Sequence, residues 1–188
     1  MKKILQAFLA LSILLFSCKD KAKSDKEKFI DDLRGEVKSG TESKGGDSYD
    51  ITPPDGWTKN VDYSQGHRIT FLYSPIEGDD DTFRENINVL TERVGKANMD
   101  DYLDLNISNM ETSLTGFTHR KVSDISIKGQ DYKSMLYSHN YEGVEIDARV
   151  LITIKDGTAY IITCSAPKGR YDRWHEDFEK AIRSFEIN

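Results

Sequence analysis

The chain has 188 residues, and 32 acidic against 26 basic side chains leave a net charge of −6. That modest acidic balance argues against a nucleic-acid partner, which would select a basic face. The only cysteines are Cys18 and Cys164, too few for a disulfide scaffold.

Met1, Lys2 and Lys3 precede an apolar run from Ile4 to Phe16, interrupted only by Gln6 and Ser12. About a dozen apolar residues are too few to cross a ~30 Å hydrocarbon core. A basic start, a short apolar stretch and the close Leu15-Phe16-Ser17-Cys18 form a bacterial lipoprotein signal. Leu15 suits that pattern better than an ordinary secretory site, although Phe16 is bulky for it. The expectation is a signal peptide over residues 1–17 and lipid on Cys18. Two or more acyl chains suffice for stable attachment, placing the chain on the cell envelope, periplasmic or surface-facing.

Residues 18–48 are expected to form a polar tether. Lys, Asp, Glu, Ser and Gly dominate them, and so few apolar side chains cannot offset the entropy of ordering. Ser24-Asp25-Lys26-Glu27 reads as a capping box before Phe29, Ile30 and Leu33, a helix too short to hold by itself.

The domain is expected over residues 49–188, with an opening strand end and a turn at Pro53-Pro54-Asp55-Gly56 that buries Trp57. His67 to Tyr73 alternates as a strand ended by Ser74-Pro75, and Gly78 to Asp81 is a polar loop. Phe83 to Glu92 alternates as a long strand. The period then changes: Leu103, Ile107, Met110 and Leu114 line one face of a helix capped by Asn98 and stopped by Gly116. Four strands are predicted next: Phe117–Ile127, Gln130–Tyr141, one with Val144, Ile146, Ala148, Val150 and Ile152 inward, and Thr158–Ser165. Lys128-Gly129, Glu142-Gly143 and Asp156-Gly157 turn them back on one another, so neighbours are antiparallel. A closing helix from about Gly169 to Phe185 puts Tyr171, Trp174, Phe178, Ala181 and Ile182 on one core-facing stripe.

Chemistry is sparse. No Gly-x-Ser-x-Gly turn and no glycine-rich phosphate loop occurs. His67, His119, His139 and His175 are scattered, so a metal site would have to assemble in space, with Asp124 or Glu145 for example. Asp79-Asp80-Asp81 lacks the alternating ligands of a calcium loop. Glu145 and Asp147 read as a polar outer strand face, and Cys164 as a small buried hydrophobe. Tyr137, His139 and Tyr141 share one strand face and are the candidate partner surface, with packing beneath a helix as the alternative. No cofactor is expected.

Asp50 to Trp57, with its Pro-x-Gly-Trp turn, resembles the opening of PsbP-like domains, the family of the extrinsic PsbP protein of photosystem II. Phe83 to Leu90 is similar to that family's next landmark strand. Asn98 to Leu114, the hairpins and the closing Arg183-Ser184-Phe185 follow in the same order. The resemblance covers Tyr49 to Asn188 and implies an α+β fold, an antiparallel β-sheet sandwiched by α-helices. It also implies a mostly non-enzymatic role in binding or assembly. Residues 19–48 carry no counterpart of the partner-binding segment of oxygen-evolving members, and no family site residue transfers. The expectation is therefore a membrane-anchored, non-catalytic lipoprotein that binds an envelope protein or supports an envelope assembly. The alternative is a small-ligand or metal-binding lipoprotein.

Overall fold

Three two-residue turns set the register of the sheet. Lys128-Gly129, Glu142-Gly143 and Asp156-Gly157 all have positive φ at both positions, the twist that tight hairpins need. A computed structural model describes residues 48–64, 67–78, 81 and 83–188. The expectations for the signal, Cys18, the tether, the Ser24–Glu27 capping box, Asp79 and Asp80 lie outside these residues.

The described elements are β1 (Tyr49–Asp50), β2 (Thr58–Ser64), β3 (His67–Tyr73), β4 (Asn86–Arg93), α1 (Met99–Ser113), β5 (Thr115–His119), β6 (Ser123–Ile127), β7 (Gln130–Tyr141), β8 (Val144–Lys155), β9 (Thr158–Pro167), a 3₁₀ turn (Tyr171–Trp174), α2 (His175–Ser184) and β10 (Glu186–Ile187). Eight strands form one sheet in the order β2-β3-β4-β9-β8-β7-β5, with β6 also on β7. All its pairings are antiparallel. β1 and β10 make a separate two-stranded clasp.

Strand parity sorts the core into two layers. Ile87, Leu151, Tyr160, Ile162 and Cys164 point to one face and bury Phe178, Ala181 and Ile182 of α2. Val150, Ile152, Ala159, Ile161 and Met135 point to the other and bury Tyr102, Leu103 and Met110 of α1. The fold is α+β, an antiparallel sheet between two helices. Because both faces are covered, central strands are buried throughout: every residue of β9 before Pro167 is buried. Cys164 is fully buried and burial pushes its thiol up, so it is packing material.

α1 begins where expected. The Asn98 side chain accepts from Asp101 N at 2.9 Å, and Asp100 and Asp101 sit in the positive first turn. It ends at Ser113, before Gly116, whose positive φ instead falls inside β5, where the register slips between Thr115 and Thr118. The strand expected over Phe117–Ile127 is two strands. His119 pairs Tyr137 and Ser123 pairs Ser134, with three residues between them on one side against two on the other, so a bulge at Arg120–Val122 divides them. β2 was not expected. It is an edge strand and need not bury a full face; its Val61 stays 37% exposed. The closing helix starts at His175 rather than Gly169, because no Ser, Thr, Asp or Asn caps an earlier start and the first turn stays 3₁₀.

Gly157 is the tightest turn position. Its carbonyl accepts from Val94 N and Gly95 N, and a Cβ there would lie 3.0 Å from the Gly95 carbonyl oxygen. Gly143 has the same backbone freedom but open space around it. Gly143→Ala is expected to cost about 1–2 kcal/mol, and Gly157→Ala at least about 1 kcal/mol more. Urea unfolding of the two variants checks the order; equal midpoints would contradict it.

Candidate functional site

β7 projects Tyr137, His139 and Tyr141 to the α1 side of the sheet, as their alternation requires. Rings from β5 join them. Phe117 lies 5.5 Å from His119 and 5.7 Å from Tyr137, and Tyr137 lies 5.8 Å from His139, ring centre to ring centre. The ladder thus runs from the sheet interior to the edge at β5, with which no further described strand pairs. Its members differ in access. Tyr137 packs in the core beneath α1, and burial pushes its phenol up. His139 and Tyr141 are half-buried and His119 is exposed. Of the three expected residues, Tyr137 therefore serves packing, and only His139 and Tyr141 reach the rim.

Burial holds the His139 imidazole below its ordinary pKa of 6.5. Above 6.5 both folded and unfolded states are neutral, and the contribution to stability is complete. As pH falls below 6.5 the unfolded chain binds the proton first, so stability drops until the folded pKa is passed. His139→Gln is expected to flatten that part of the slope, checked by thermal melts from about pH 7.5 to about pH 5.

The opposite face carries a groove. α2 sits over the central strands, and β7 is covered on this face at Tyr132 but open at Leu136. Two adjoining cavities, about 320 and 370 Å³, open there and share Arg120, Leu136, Tyr171 and Asp172. Ser134, Leu136 and Ser138 of β7 with Asp147 and Arg149 of β8 form the floor. The 3₁₀ turn and His175 form one wall, and the β5–β6 bulge the other. Asp147 accepts from Ser138 Oγ at 2.7 Å and Gly169 N at 3.2 Å. Arg149 donates from Nε to Ser134 Oγ at 3.0 Å and from Nη1 to Glu179 at 2.5 Å. Burial pushes the Tyr171 phenol up, so it stays a neutral hydrogen-bond donor. Leu136 is 38% exposed on the floor.

Glu145 and Asp147 were expected on one outer face. Glu145 is exposed there and pairs with Lys168, whereas Asp147 is half-buried in the groove. Asp124 pairs with Lys133 at 2.8 Å, so both acids named as metal ligands are engaged by lysines. Among the described residues no group of three or more His, Cys, Asp or Glu could hold a metal ion. Arg120, Lys121 and Arg149 were not singled out in the sequence. Their only signal is parity: Arg149 alternates with the apolar face of β8, and the bulge that presents Arg120 has no motif. A second polar cluster ties the loop after β3 to the 3₁₀ turn. Glu85 is fully buried, accepts from Ser74 Oγ at 3.1 Å and lies 3.3 Å from Arg170, which with Arg173 also holds Glu77.

Residues 42–187 match the family described as the serine/threonine kinase C-terminal domain. No curated protein matches the chain in sequence. Among solved structures, PA94 of Pseudomonas aeruginosa, a protein of unknown function, is 20% identical with a TM-score of 0.58, over 77% of this chain and 99% of its own. LpqN of Mycobacterium tuberculosis, involved in cell envelope biogenesis, is 13% identical with a TM-score of 0.59, over 78% and 86%. The cyanobacterial PsbP of Synechocystis sp. PCC 6803 is 16% identical with a TM-score of 0.51, over 79% and 98%. These likenesses show the shared fold, including the one that the PsbP-like resemblance implied. Among the described residues no helix is long and apolar enough to cross a membrane.

Proposed function

The chain belongs to the serine/threonine kinase C-terminal domain family, and from that premise we propose that its folded unit is a non-catalytic recognition module of the bacterial cell envelope. In this reading residues 1–17 are a lipoprotein signal, Cys18 carries lipid, and residues 18–48 are the tether of a PsbP-like domain. The stretch 19–47 spans at most about 100 Å fully extended. Lipid then confines the domain to a surface and the tether sets its reach, which raises the effective concentration of a partner without new contacts. LpqN shares the fold and is involved in cell envelope biogenesis, which supports the address.

The observation that carries the reading is the ring ladder that emerges at the β5 edge of the sheet, with His119 exposed and His139 and Tyr141 on the rim. An edge strand offers unpaired backbone groups to a partner segment, and rings beside it supply contact area. The test is proximity labelling on native membranes with Cys18 intact. A labelled envelope protein that falls several-fold in the His119→Ala/Tyr141→Ala variant supports the reading. Equal labelling by the variant, or none above background, ends it. A second reading, a ligand-binding lipoprotein, draws on the open groove beside α2.

A further inference from the structure

We propose that the groove on the α2 side is an oxyanion site that takes a phosphate ester. The inference rests on the ligand-binding reading and is independent of recognition at the sheet edge. The charge distribution is its first support. The chain carries a net charge of −6, yet the larger cavity is lined by Arg120, Lys121 and Arg149 against Asp172; Arg149 is paired with Glu179 and the adjoining cavity adds Asp147, so the uncompensated positive charge is that of Arg120 and Lys121 at the bulge. Arg120 and Lys121 are exposed at the β5–β6 bulge, and no ion pair with a described residue engages either. They are therefore available to a ligand.

The donor arrangement is the second support. Arg149 is held in place by Ser134 and Glu179 through Nε and Nη1, which leaves the N–H groups of Nη2 for a ligand. Its side chain is only 19% exposed, so a bond from it meets little competition from water. Ser134 Oγ accepts from Arg149, so its own hydroxyl proton remains to be donated. The half-buried Tyr171 phenol keeps its proton and adds another donor on the wall. Guanidinium groups suit a multi-oxygen anion better than a single point charge does. A cavity of about 370 Å³ has room for a phosphate with a small organic substituent, and half-exposed Leu136 offers that substituent an apolar seat.

The same chemistry occurs on a soluble phosphate ester and on a phospholipid headgroup, and two arms separate them. In the first, glycerol 3-phosphate is titrated into the intact chain by calorimetry. In the second, flotation with phosphatidylglycerol or phosphatidylcholine vesicles uses the Cys18→Ser chain, so that the anchor contributes nothing. Saturable binding in either arm, weakened at least tenfold by Arg120→Ala/Lys121→Ala and unchanged by Lys96→Ala/Lys128→Ala, supports the site and identifies the source. Both replaced side chains are exposed, so an unchanged circular dichroism spectrum is expected, and Arg149→Lys gives a second, conservative probe with the same direction of effect. Binding in neither arm, equal loss in the Lys96/Lys128 control, or acetate competing as well as glycerol 3-phosphate would overturn the proposal. Partner labelling at the sheet edge is read separately and survives or fails regardless.

Discussion

Phe178→Ala is expected to lower stability by about 3–5 kcal/mol, a large share of the roughly 5–15 kcal/mol typical of a whole domain. Phe178 is fully buried where α2 meets the sheet. Its ring stands edge-on to Trp57 at 6.0 Å and tilted against Tyr171 at 4.9 Å, and Trp57 in turn meets Trp174 at 5.6 Å. Truncation therefore removes transfer energy, opens a cavity and loses two ring contacts together. The surroundings are poorly placed to collapse into the space, because the Trp57 indole N–H is held by Asp177 at 3.2 Å. Urea unfolding measures the cost. Ile76→Ala, at a side chain 68% exposed, is the control and is expected to stay within about 0.5 kcal/mol. A loss below about 1 kcal/mol at Phe178 would mean that α2 contributes little to holding the sheet.

The second large effect concerns attachment. Cys18→Ser is expected to move nearly all of the protein from the membrane fraction to the soluble fraction. On the proposed lipidation of Cys18, acyl chains would add about 0.8 kcal/mol per buried CH₂, so the loss of two or more of them would remove the whole of a stable anchor. No described helix can replace it. Fractionation, with mass spectrometry of the mature N-terminus, measures the shift. A serine variant that stays on the membrane would show that something other than lipid on Cys18 holds it there.

Much of the fold was legible because local rules and burial agreed. β3 and β7 have the expected limits, the Asn98 cap opens α1, and the hairpin turns fall at the three glycine dipeptides. The misses have physical causes. β2 is an edge strand with little apolar content, so alternation could not mark it. The β5–β6 bulge depends on counting residues against β7, a nonlocal fact. In β4, Asn86 and Asn88 are buried although polar, because they lie on the α1 face of a sheet covered on both sides. Tyr137, His139 and Tyr141 were correctly placed on one face, but parity alone could not say that α1 covers the first and leaves the others at the rim. The groove was invisible for a related reason. Its lining comes from separate strands, a bulge and a 3₁₀ turn, and no spacing in the chain connects Arg120 with Arg149 and His175.

The short pairing of Tyr49–Asp50 with Glu186–Ile187 has a mechanical consequence. Tension arriving through residue 48 meets Tyr49 at once. That ring is wedged between Tyr160 and Phe185, its hydroxyl bonds Thr70 at 2.8 Å, and its carbonyl accepts from Arg68 at 3.2 Å. A pull from that side is thereby handed to the middle of the sheet and to α2 together, and the body is drawn along whole instead of being unravelled from one border.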